Sequence, residues 1–332
     1  MSTLSVDAIR PKSVMASDAL KEARSRDKAW LLNKKASFCQ VACPACGGSG
    51  LSQRLEKDGF TFGRCAECKT LYMPFRPNAE LLAEYYAQSA NMEYFSKVIF
   101  PASQKERIEH IYTPRLEMLL TKCAQAGCLG GTYAEIGAGS GQFAHLVQKR
   151  GAFDRVLAVE PAKSLAADCR ARGLDVLEAP VEQLDSTLQV NVVAIFEVLE
   201  HLFSPASFVR HAREILAEGG LCILTTPNGL GLDVLELGMA STTVDFQHLT
   251  LFNPDSITRL MQKEGFEVIE VTTPGKLDVS LVRQGWDDGA VPSGAFLEHM
   301  LRESPESVAG EFQKFVSNNL LSSHMWVVAQ KK

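Results

Sequence analysis

The stretch Tyr133-Ala-Glu-Ile-Gly-Ala-Gly-Ser-Gly-Gln-Phe143 joins an apolar run to three closely spaced glycines, Gly137, Gly139 and Gly141. The spacing predicts a strand that ends at the first glycine and a helix that begins after the last. Such a turn lets the backbone approach a ligand, and the N–H groups at the helix start point toward whatever binds there. The dinucleotide fingerprint G-x-G-x-x-G requires glycine at its sixth place, where this chain has Gln142, so the match to an NAD site fails.

Strand and helix patterns alternate from this turn to the end of the chain. Strands are predicted at TYAEIG, RVLAVE, LDVLEA, VNVVAIFE, GGLCILTTP, FEVIEVTT and HMWVVAQ. Helices are predicted at about 141–150, 162–172, 205–217 and 254–264. The first strands are apolar nearly throughout, as in a parallel sheet that is covered on both faces. The predicted fold is therefore α/β, with a doubly wound, seven-stranded, mostly parallel, Rossmann-like sheet and a ligand site beyond the carboxyl ends of its strands.

Acidic residues stand near the ends of the first four strands. Glu135 precedes the glycines, and Glu160 ends the second strand, where an acid can accept two hydrogen bonds from ribose hydroxyls. Glu182 follows the third strand in APVEQL, and Glu197 closes the fourth in FEVLEHLF.

Taken together, the segments EIGAGSG, VEP, VEQL, FEVLEHL and LAEGGLCILTTPN resemble the class I S-adenosylmethionine-dependent methyltransferases over roughly residues 105–273. The resemblance implies S-adenosyl-L-methionine as cofactor, whose sulfonium and ammonium cations suit a pocket edged with carboxylates. The glycine turn, with Gly137, Gly139 and Gly141, would hold this cofactor. The implied contacts are Glu135 and Gly137 with the methionine end, Glu160 with the ribose, Val181 and Glu182 with the adenine edge, and Glu197 with the methyl-bearing centre. A solvated helix cap is the alternative reading of Glu182.

Methyl transfer from a sulfonium is an in-line displacement, so much of the catalysis can come from positioning the acceptor. A hydroxyl acceptor must also lose its proton, which requires a general base. The candidates are His248 in VDFQHLTLF, after the fifth strand, and His201 in EVLEHLF, after the fourth. Catalysis by positioning without any base is the third alternative. Asn228 and Asp278 are candidate acceptor contacts, with a simple turn and a surface loop as their alternatives.

Two pairs of cysteines, Cys43-x2-Cys46 and Cys65-x2-Cys68, have the spacing of a four-thiolate Zn²⁺ site. Four thiolates leave no open coordination position, so the predicted zinc is structural. A redox disulfide is the alternative. Zinc cysteines precede such a core in ribosomal RNA base methyltransferases and in bacterial methyltransferases of sugars and related small metabolites. The five cations of this ribbon are partly offset by three acids, whereas RNA recognition favours a stronger basic excess with stacking aromatics, so a small acceptor is preferred.

The totals agree with this preference. The 332 residues carry 34 Lys and Arg against 39 Asp and Glu, a net charge of −5 that disfavours a nucleic-acid partner. No run of eighteen apolar residues appears, and the N-terminus lacks the apolar core of a secretory signal. These features predict a cytoplasmic protein without a membrane partner, whose nine cysteines are reduced.

The predicted organisation has four parts: a helical extension at 1–38, a zinc ribbon at 39–77, a helical lid or linker at 78–125, and a methyltransferase domain at 126–332. An insertion at about 275–320 could cover the acceptor or form a homodimer interface. The leading functional hypothesis is methyl transfer to a hydroxyl of a small acceptor, a sugar or a nucleotide-linked sugar. The alternatives are a ribosomal RNA base methyltransferase and a cofactor-binding scaffold without catalysis.

Overall fold

The computed structural model describes residues 4–289 and 294–332. In chain order the strands are β1 (Phe38–Gln40), β2 (Leu51–Lys57), β3 (Phe60–Cys65), β4 (Leu71–Tyr72), β5 (Phe75–Pro77), β6 (Thr132–Ile136), β7 (Arg155–Val159), β8 (Asp175–Leu177), β9 (Val190–Phe196), β10 (Leu216–Pro227), β11 (Thr250–Leu251), β12 (Phe266–Thr272) and β13 (His324–Lys331).

The α-helices are α1 (Val6–Ile9), α2 (Lys12–Met15), α3 (Asp18–Asn33), α4 (Ala79–Gln88), α5 (Ala90–Tyr94), α6 (Phe100–Ala102), α7 (Gln104–Arg107), α8 (Thr113–Gln125), α9 (Gln142–Arg150), α10 (Lys163–Ala171), α11 (Pro205–Glu214), α12 (Leu232–Leu237), α13 (Pro254–Lys263), α14 (Asp278–Asp287), α15 (Ala295–Glu298) and α16 (Glu306–Asn318). Within the described residues, no helix combines the length and the apolar character that a membrane crossing requires.

Seven strands form one sheet in the order β12-β13-β10-β9-β6-β7-β8, which confirms the predicted fold class. The pairs β10–β9, β9–β6, β6–β7 and β7–β8 are parallel. From β6 the chain runs outward to β7 and β8 and then returns to β9 on the other side of β6. This reversal lies between β6 and β9, the place where doubly wound sheets bind their ligands.

The helices that cross over this sheet lie where the sequence predicts them, within a few residues at each end. Strand β10 begins at Leu216, earlier than the prediction at Gly219, because its pairing with β9 has an irregularity between Leu216 and Leu221. This irregularity lets the strand continue through Gly219, whose positive φ of 74° is left-handed. Helix α8 begins at Thr113, directly after the π-helical turn Ile108–Tyr112, and Pro114 stands in its first turn, where proline is tolerated.

The chain forms two compact units. The first contains residues up to Ser103, Thr226–Ile257 and Thr272–Trp326, and the second contains Gln104–Thr225, Thr258–Val271 and Val327–Lys332. The first unit holds a four-stranded sheet in the order β11-β4-β3-β2 and the pair β1–β5. The second unit holds the glycine turn.

Helix α3 is the helical pattern predicted within 1–38, of which residues 1–3 lie outside the described part. It packs inside the first unit through Leu20 and Leu31. The carboxylate of Asp27, which is 4% exposed, accepts hydrogen bonds from the backbone N–H groups of Ala90 and Asn91 at the start of α5. A buried acid is stable here because these N–H groups and two hydroxyls satisfy its oxygens. Asn78 caps α4 by accepting from the N–H of Leu81.

The stretch predicted as an insertion at about 275–320 is largely helical. The predicted stretch includes residues 290–293, which lie outside the described residues. Helices α14 and α16 and the π-helical turn His299–Glu303 share an apolar cluster with α12; its buried members are Leu237, Val279, Val282, Trp286, Leu301 and Ala309. This part of the chain therefore has a small core of its own in the first unit.

Candidate cofactor site and four-cysteine cluster

The glycine turn between β6 and α9 has a backbone that only glycine adopts easily. Gly137 and Gly141 have φ values of 75° and 74°. A Cβ atom on Gly137 would lie 2.6 Å from Val198 Cγ2, and one on Gly141 would lie 2.6 Å from Leu174 Cδ1. The turn therefore packs tightly against its own unit. Next to it, the side-chain oxygen of Gln142 is buried and has no hydrogen-bond partner among the described residues, a cost that a bound polar group would remove.

Glu160, just beyond β7, is tied to this turn. Its carboxylate is 6% exposed and accepts the N–H of Gly139 at 2.8 Å and the N–H of Ala162 at 2.9 Å. Burial raises the pKa of Glu160, although both N–H groups act to lower it. Each oxygen uses one lone pair in these bonds and retains a second one, so the carboxylate keeps the capacity to accept from hydroxyls.

Glu135 lies within β6 and is 5% exposed. The hydroxyl of Tyr133 donates to its carboxylate at 3.3 Å. Burial raises the pKa of Glu135 to about 8, against the opposing charge of Arg115 and the hydrogen bond from Tyr133. A carboxyl with this pKa responds strongly to any cation that approaches it.

Glu197 follows β9 and has a φ of 57°, a left-handed conformation that costs a non-glycine residue roughly 1 kcal/mol or more. Its backbone N–H donates to the carbonyl of Thr225, and its carboxylate accepts from the Thr225 hydroxyl at 2.6 Å. Both contacts fix the side chain at the end of the sheet. Strained backbone that the surroundings hold in place is concentrated at functional sites.

Arg115, on α8, lies beside Glu197 and interacts electrostatically with both Glu197 and Glu135. It was not identified from the sequence. Its guanidinium lies 3.8 Å from the Glu197 carboxylate and 4.6 Å from the ring centroid of Phe196. Burial lowers the pKa of Arg115, while the charges of Glu197 and Glu135 raise it. In the parallel pair β6–β9, Glu135 stands opposite Ala194, so the C-terminal ends of the two strands lie side by side. No motif marks Arg115, since α8 precedes the alternating pattern.

The other predicted cofactor residues lie after β8. Val181 is buried and begins the 3₁₀ turn Val181–Gln183. Glu182 is exposed in the same turn, and its assignment to the adenine edge stays a prediction. His201 ends the 3₁₀ turn Leu199–His201 after β9, with its Nε2 3.9 Å from the carboxylate of the buried Glu200.

His248 belongs to the first unit, in the segment between α12 and β11. Its Nδ1 lies 2.7 Å from the carbonyl oxygen of Thr243. Because a carbonyl only accepts, Nδ1 carries the proton, and in the neutral ring Nε2 carries the lone pair that a base needs. Burial alone would raise the pKa of nearby Asp245, but the charges of Arg24 and His248 and the N–H of Gln247 outweigh it and lower that pKa.

Two candidate acceptor contacts have structural roles. Asn228 is fully buried; its amide donates to the carbonyl of Ser322 at 2.9 Å and accepts from the N–H of Leu230 at 3.0 Å. Asp278 is 1% exposed, so the surface-loop alternative is wrong, and its carboxylate accepts from Ser322 and Gln313 at 2.6 Å each. These hydrogen bonds join the segment after β10 to the helices of the insertion.

The four predicted metal ligands form one cluster. The Cys43 and Cys68 sulfurs are 3.5 Å apart, as are those of Cys46 and Cys65, and all four lie within 4.8 Å of one another. A tetrahedron with Zn–S bonds of about 2.3 Å has edges of about 3.8 Å, so the donor set fits zinc. All nine cysteines are free thiols in this structure.

A parallel sheet with a glycine turn at its reversal point and acids at three neighbouring strand ends is an arrangement in which α/β proteins bind nucleoside-type ligands. Residues 105–271, just over half of the chain, match the family described as "Methyltransferase domain", and the chain belongs to that family.

Its relatives cover only part of the chain. A protein of Mycolicibacterium smegmatis, described as a probable S-adenosylmethionine-dependent methyltransferase, is 28% identical over 163 residues, which are 48% of this chain and 61% of that protein. A ubiquinone biosynthesis O-methyltransferase of Psychrobacter arcticus is 25% identical over 173 residues, which are 50% of this chain and 62% of that protein. The match thus spans about three fifths of each relative. A solved S-adenosylmethionine-dependent methyltransferase from Thermotoga maritima has a TM-score of 0.42 and 19% identity, over 72% of this chain and 98% of that one.

Proposed function

We propose that this chain transfers a methyl group from S-adenosyl-L-methionine to a hydroxyl of a small acceptor, a sugar or a nucleotide-linked sugar, in the cytoplasm. The observation that carries the proposal is the set of acids Glu135, Glu160 and Glu197 at neighbouring strand ends, with the guanidinium of Arg115 beside Glu197. The bound cofactor supplies the methyl group as a sulfonium cation.

The charges of this site match the amino-acid end of the cofactor, which carries both an ammonium and a carboxylate. Glu135 would bind the ammonium, and Arg115 would pair with the carboxylate, a partner that acids alone cannot provide. Gly137 and Gly139 let the backbone approach this end closely. Glu197 would stand beside the sulfonium, where a negative charge favours the cation over the neutral product.

The nucleoside end would meet the next two strands. Glu160 retains a lone pair on each oxygen for the two ribose hydroxyls. Its bonds to the N–H groups of Gly139 and Ala162 keep the carboxylate in place before binding. Val181 would contact the adenine ring, and Glu182 its polar edge.

The name of the Psychrobacter relative supports oxygen as the accepting atom. In this proposal His248 is the general base, and its Nε2 takes the hydroxyl proton while Thr243 holds the opposite nitrogen. His201 would shape the acceptor side. The acidic net charge supports a small acceptor over RNA.

We also propose that Cys43, Cys46, Cys65 and Cys68 hold one Zn²⁺. Four thiolates close the coordination sphere, so the metal is structural and takes no part in the chemical step.

The test of the cofactor site is calorimetric titration of the folded chain with S-adenosylmethionine and with methylthioadenosine, which lacks the amino-acid end. Arg115→Met should weaken binding of the first about 10- to 100-fold, since a charge-assisted bond contributes about 1.5–3 kcal/mol, and leave the second unchanged. Arg150→Met, at an exposed arginine on α9, is the control. Absence of S-adenosylmethionine binding by folded protein would exclude the proposed function. Equal loss for both ligands would remove Arg115 from it.

A further inference from the structure

The segment Ser241–Asn253, which contains His248 and is called the His248 segment below, has little regular structure of its own. Its described secondary structure is the two-residue strand β11. It nevertheless has few exposed side chains: Asp245, Gln247 and Asn253 are each less than 9% exposed. Contacts with the rest of the chain therefore hold this segment in place. Many of them come from residues 39–77, which are called the four-cysteine module below.

The middle of the segment extends the sheet of the module. Thr250 and Leu251 pair antiparallel with Tyr72 and Leu71 of β4. The pairing continues beyond β11, because the N–H of Met73 donates to the carbonyl of Leu249, the residue after His248. Strand β4 begins three residues after Cys68, so the cluster fixes the strand on which this part of the segment depends.

The C-terminal end of the segment is joined to a cluster cysteine. The side-chain amide of Asn253 donates to the backbone carbonyl of Cys68 at 2.8 Å, and both residues are 2% exposed. The amide oxygen of Asn253 accepts from the N–H of Ser256 at 3.0 Å and so caps α13. Asn253 thus connects three things: a predicted metal ligand, the start of a helix and the end of the His248 segment.

The N-terminal end of the segment is held by the hairpin of β2 and β3, at the turn that joins these two strands. The ammonium of Lys57, the last residue of β2, donates to the carbonyls of Ser241 and Val244 at 2.8 and 2.6 Å. Phe60, the first residue of β3, stacks on Phe246 with ring centroids 5.8 Å apart. The hairpin β2–β3 therefore contacts the segment on the N-terminal side of His248, and β4 with Cys68 contacts it on the C-terminal side.

We infer that metal binding at the four cysteines determines the order of the His248 segment, and that Asn253 is the positioning residue that links them. Small cysteine modules have too little core to fold without their metal, so ligation contributes their folding free energy. Loss of the metal would release the Cys68 carbonyl and β4, and with them β11 and the backbone of Leu249, the residue after His248. Thr243, whose carbonyl orients His248, would keep its own hydrogen bond to Asp233. The inference rests on the proposed zinc site, and its consequence for turnover rests on the proposed role of His248.

The first experiment measures amide hydrogen exchange of the full chain with zinc and after chelation, with zinc counted by elemental analysis. Removal of one zinc per chain should speed exchange across 241–253 by about tenfold or more, because the free energy of local opening is then lower. Exchange across the glycine turn, 133–144, should stay within about twofold of the zinc-loaded value, and S-adenosylmethionine affinity should be unchanged. Exchange across the glycine turn and the affinity for S-adenosylmethionine report on the cofactor site independently of zinc. If the cofactor proposal is wrong, S-adenosylmethionine will not bind, and the result for 241–253 will be unaffected.

The second experiment compares two variants of the cap. Asn253→Ser keeps an acceptor for the N–H of Ser256, since serine is a good N-cap, but it cannot reach Cys68. Ser256→Ala removes the hydroxyl that accepts from the N–H of Asn253 and keeps the bond to Cys68. Asn253→Ser should retain one zinc and show faster exchange across 248–253, and Ser256→Ala should show a smaller change there.

Unchanged exchange across 241–253 after zinc has left would overturn the inference while the zinc site stands. A folded chain that contains no zinc and already protects this segment would overturn both. Equal effects of the two cap variants would show that helix capping, and not the Cys68 bond, is what Asn253 provides.

Discussion

Glu135 is an acid whose charge depends on what stands opposite it. In the cofactor-free chain, burial raises its pKa to about 8, above its usual value of 4.5. Because the folded pKa is the higher one, this group contributes stability below about pH 4.5 and loses that contribution as pH rises toward 8. A bound ammonium reverses the preference, since it favours the carboxylate.

We therefore predict that the part of the S-adenosylmethionine affinity that depends on Glu135 increases from pH 6 to 8, by up to about tenfold per unit, and levels off above pH 8. The amino group of the cofactor also titrates near pH 8, so affinity must be compared between two proteins. Calorimetric titrations of the native chain and of Glu135→Gln at each pH give the part of the pH dependence that is due to the Glu135 carboxyl. The Gln variant should bind more weakly at pH 8 and lack the rise. An identical pH dependence in both proteins would contradict the pKa assigned to Glu135.

His248 offers the second prediction at this scale. If its Nε2 takes the acceptor proton, His248→Gln should lower turnover by roughly two or more orders of magnitude and leave S-adenosylmethionine affinity unchanged. Gln can still donate to the Thr243 carbonyl, so the segment should keep its order. Single-turnover rates of this variant and of His201→Gln separate the two candidates. Near-normal turnover in His248→Gln would remove His248 as the base, and near-normal turnover in both variants would leave positioning without a base as the mechanism.

At the scale of the elements, most of the second unit was predictable because its strands and helices follow local rules. Buried parallel strands are continuous apolar runs, and the acids that end them meet at one edge whatever the loop lengths. Glu135, Glu160 and Glu197 could be placed in this way. Arg115 could not, because its pairing with Glu197 is set by how α8 packs.

The first unit was less predictable because, as for Arg115, more of its structure depends on tertiary contacts than on local sequence patterns. The cysteine spacing predicted that the four cysteines cluster, and they do. A two-residue strand such as β11, however, has no alternating pattern, and its pairing with β4 depends on tertiary contacts. Polar residues in apolar surroundings were equally ambiguous: Asn228 and Asp278 looked like ligand contacts and instead satisfy buried backbone and hydroxyl groups. Such residues can be sorted only when their partners are known.

At the scale of the whole molecule, charge bears on the choice between a small acceptor and RNA. The chain has a net charge of −5, and binding to RNA needs enough cations to replace the counterions of the phosphates. We predict that a ribosomal RNA fragment binds no more tightly than about 10 μM at 0.15 M salt, in the non-specific range, when measured by fluorescence anisotropy. Arg54→Glu, at an exposed cation of β2, should then leave that weak affinity within about twofold. Sub-micromolar affinity that survives 0.2 M salt and is lost in Arg54→Glu would instead assign the four-cysteine module to RNA recognition. That result would replace the sugar or nucleotide-linked sugar with an RNA base as the acceptor, while the cofactor site would keep the same residues.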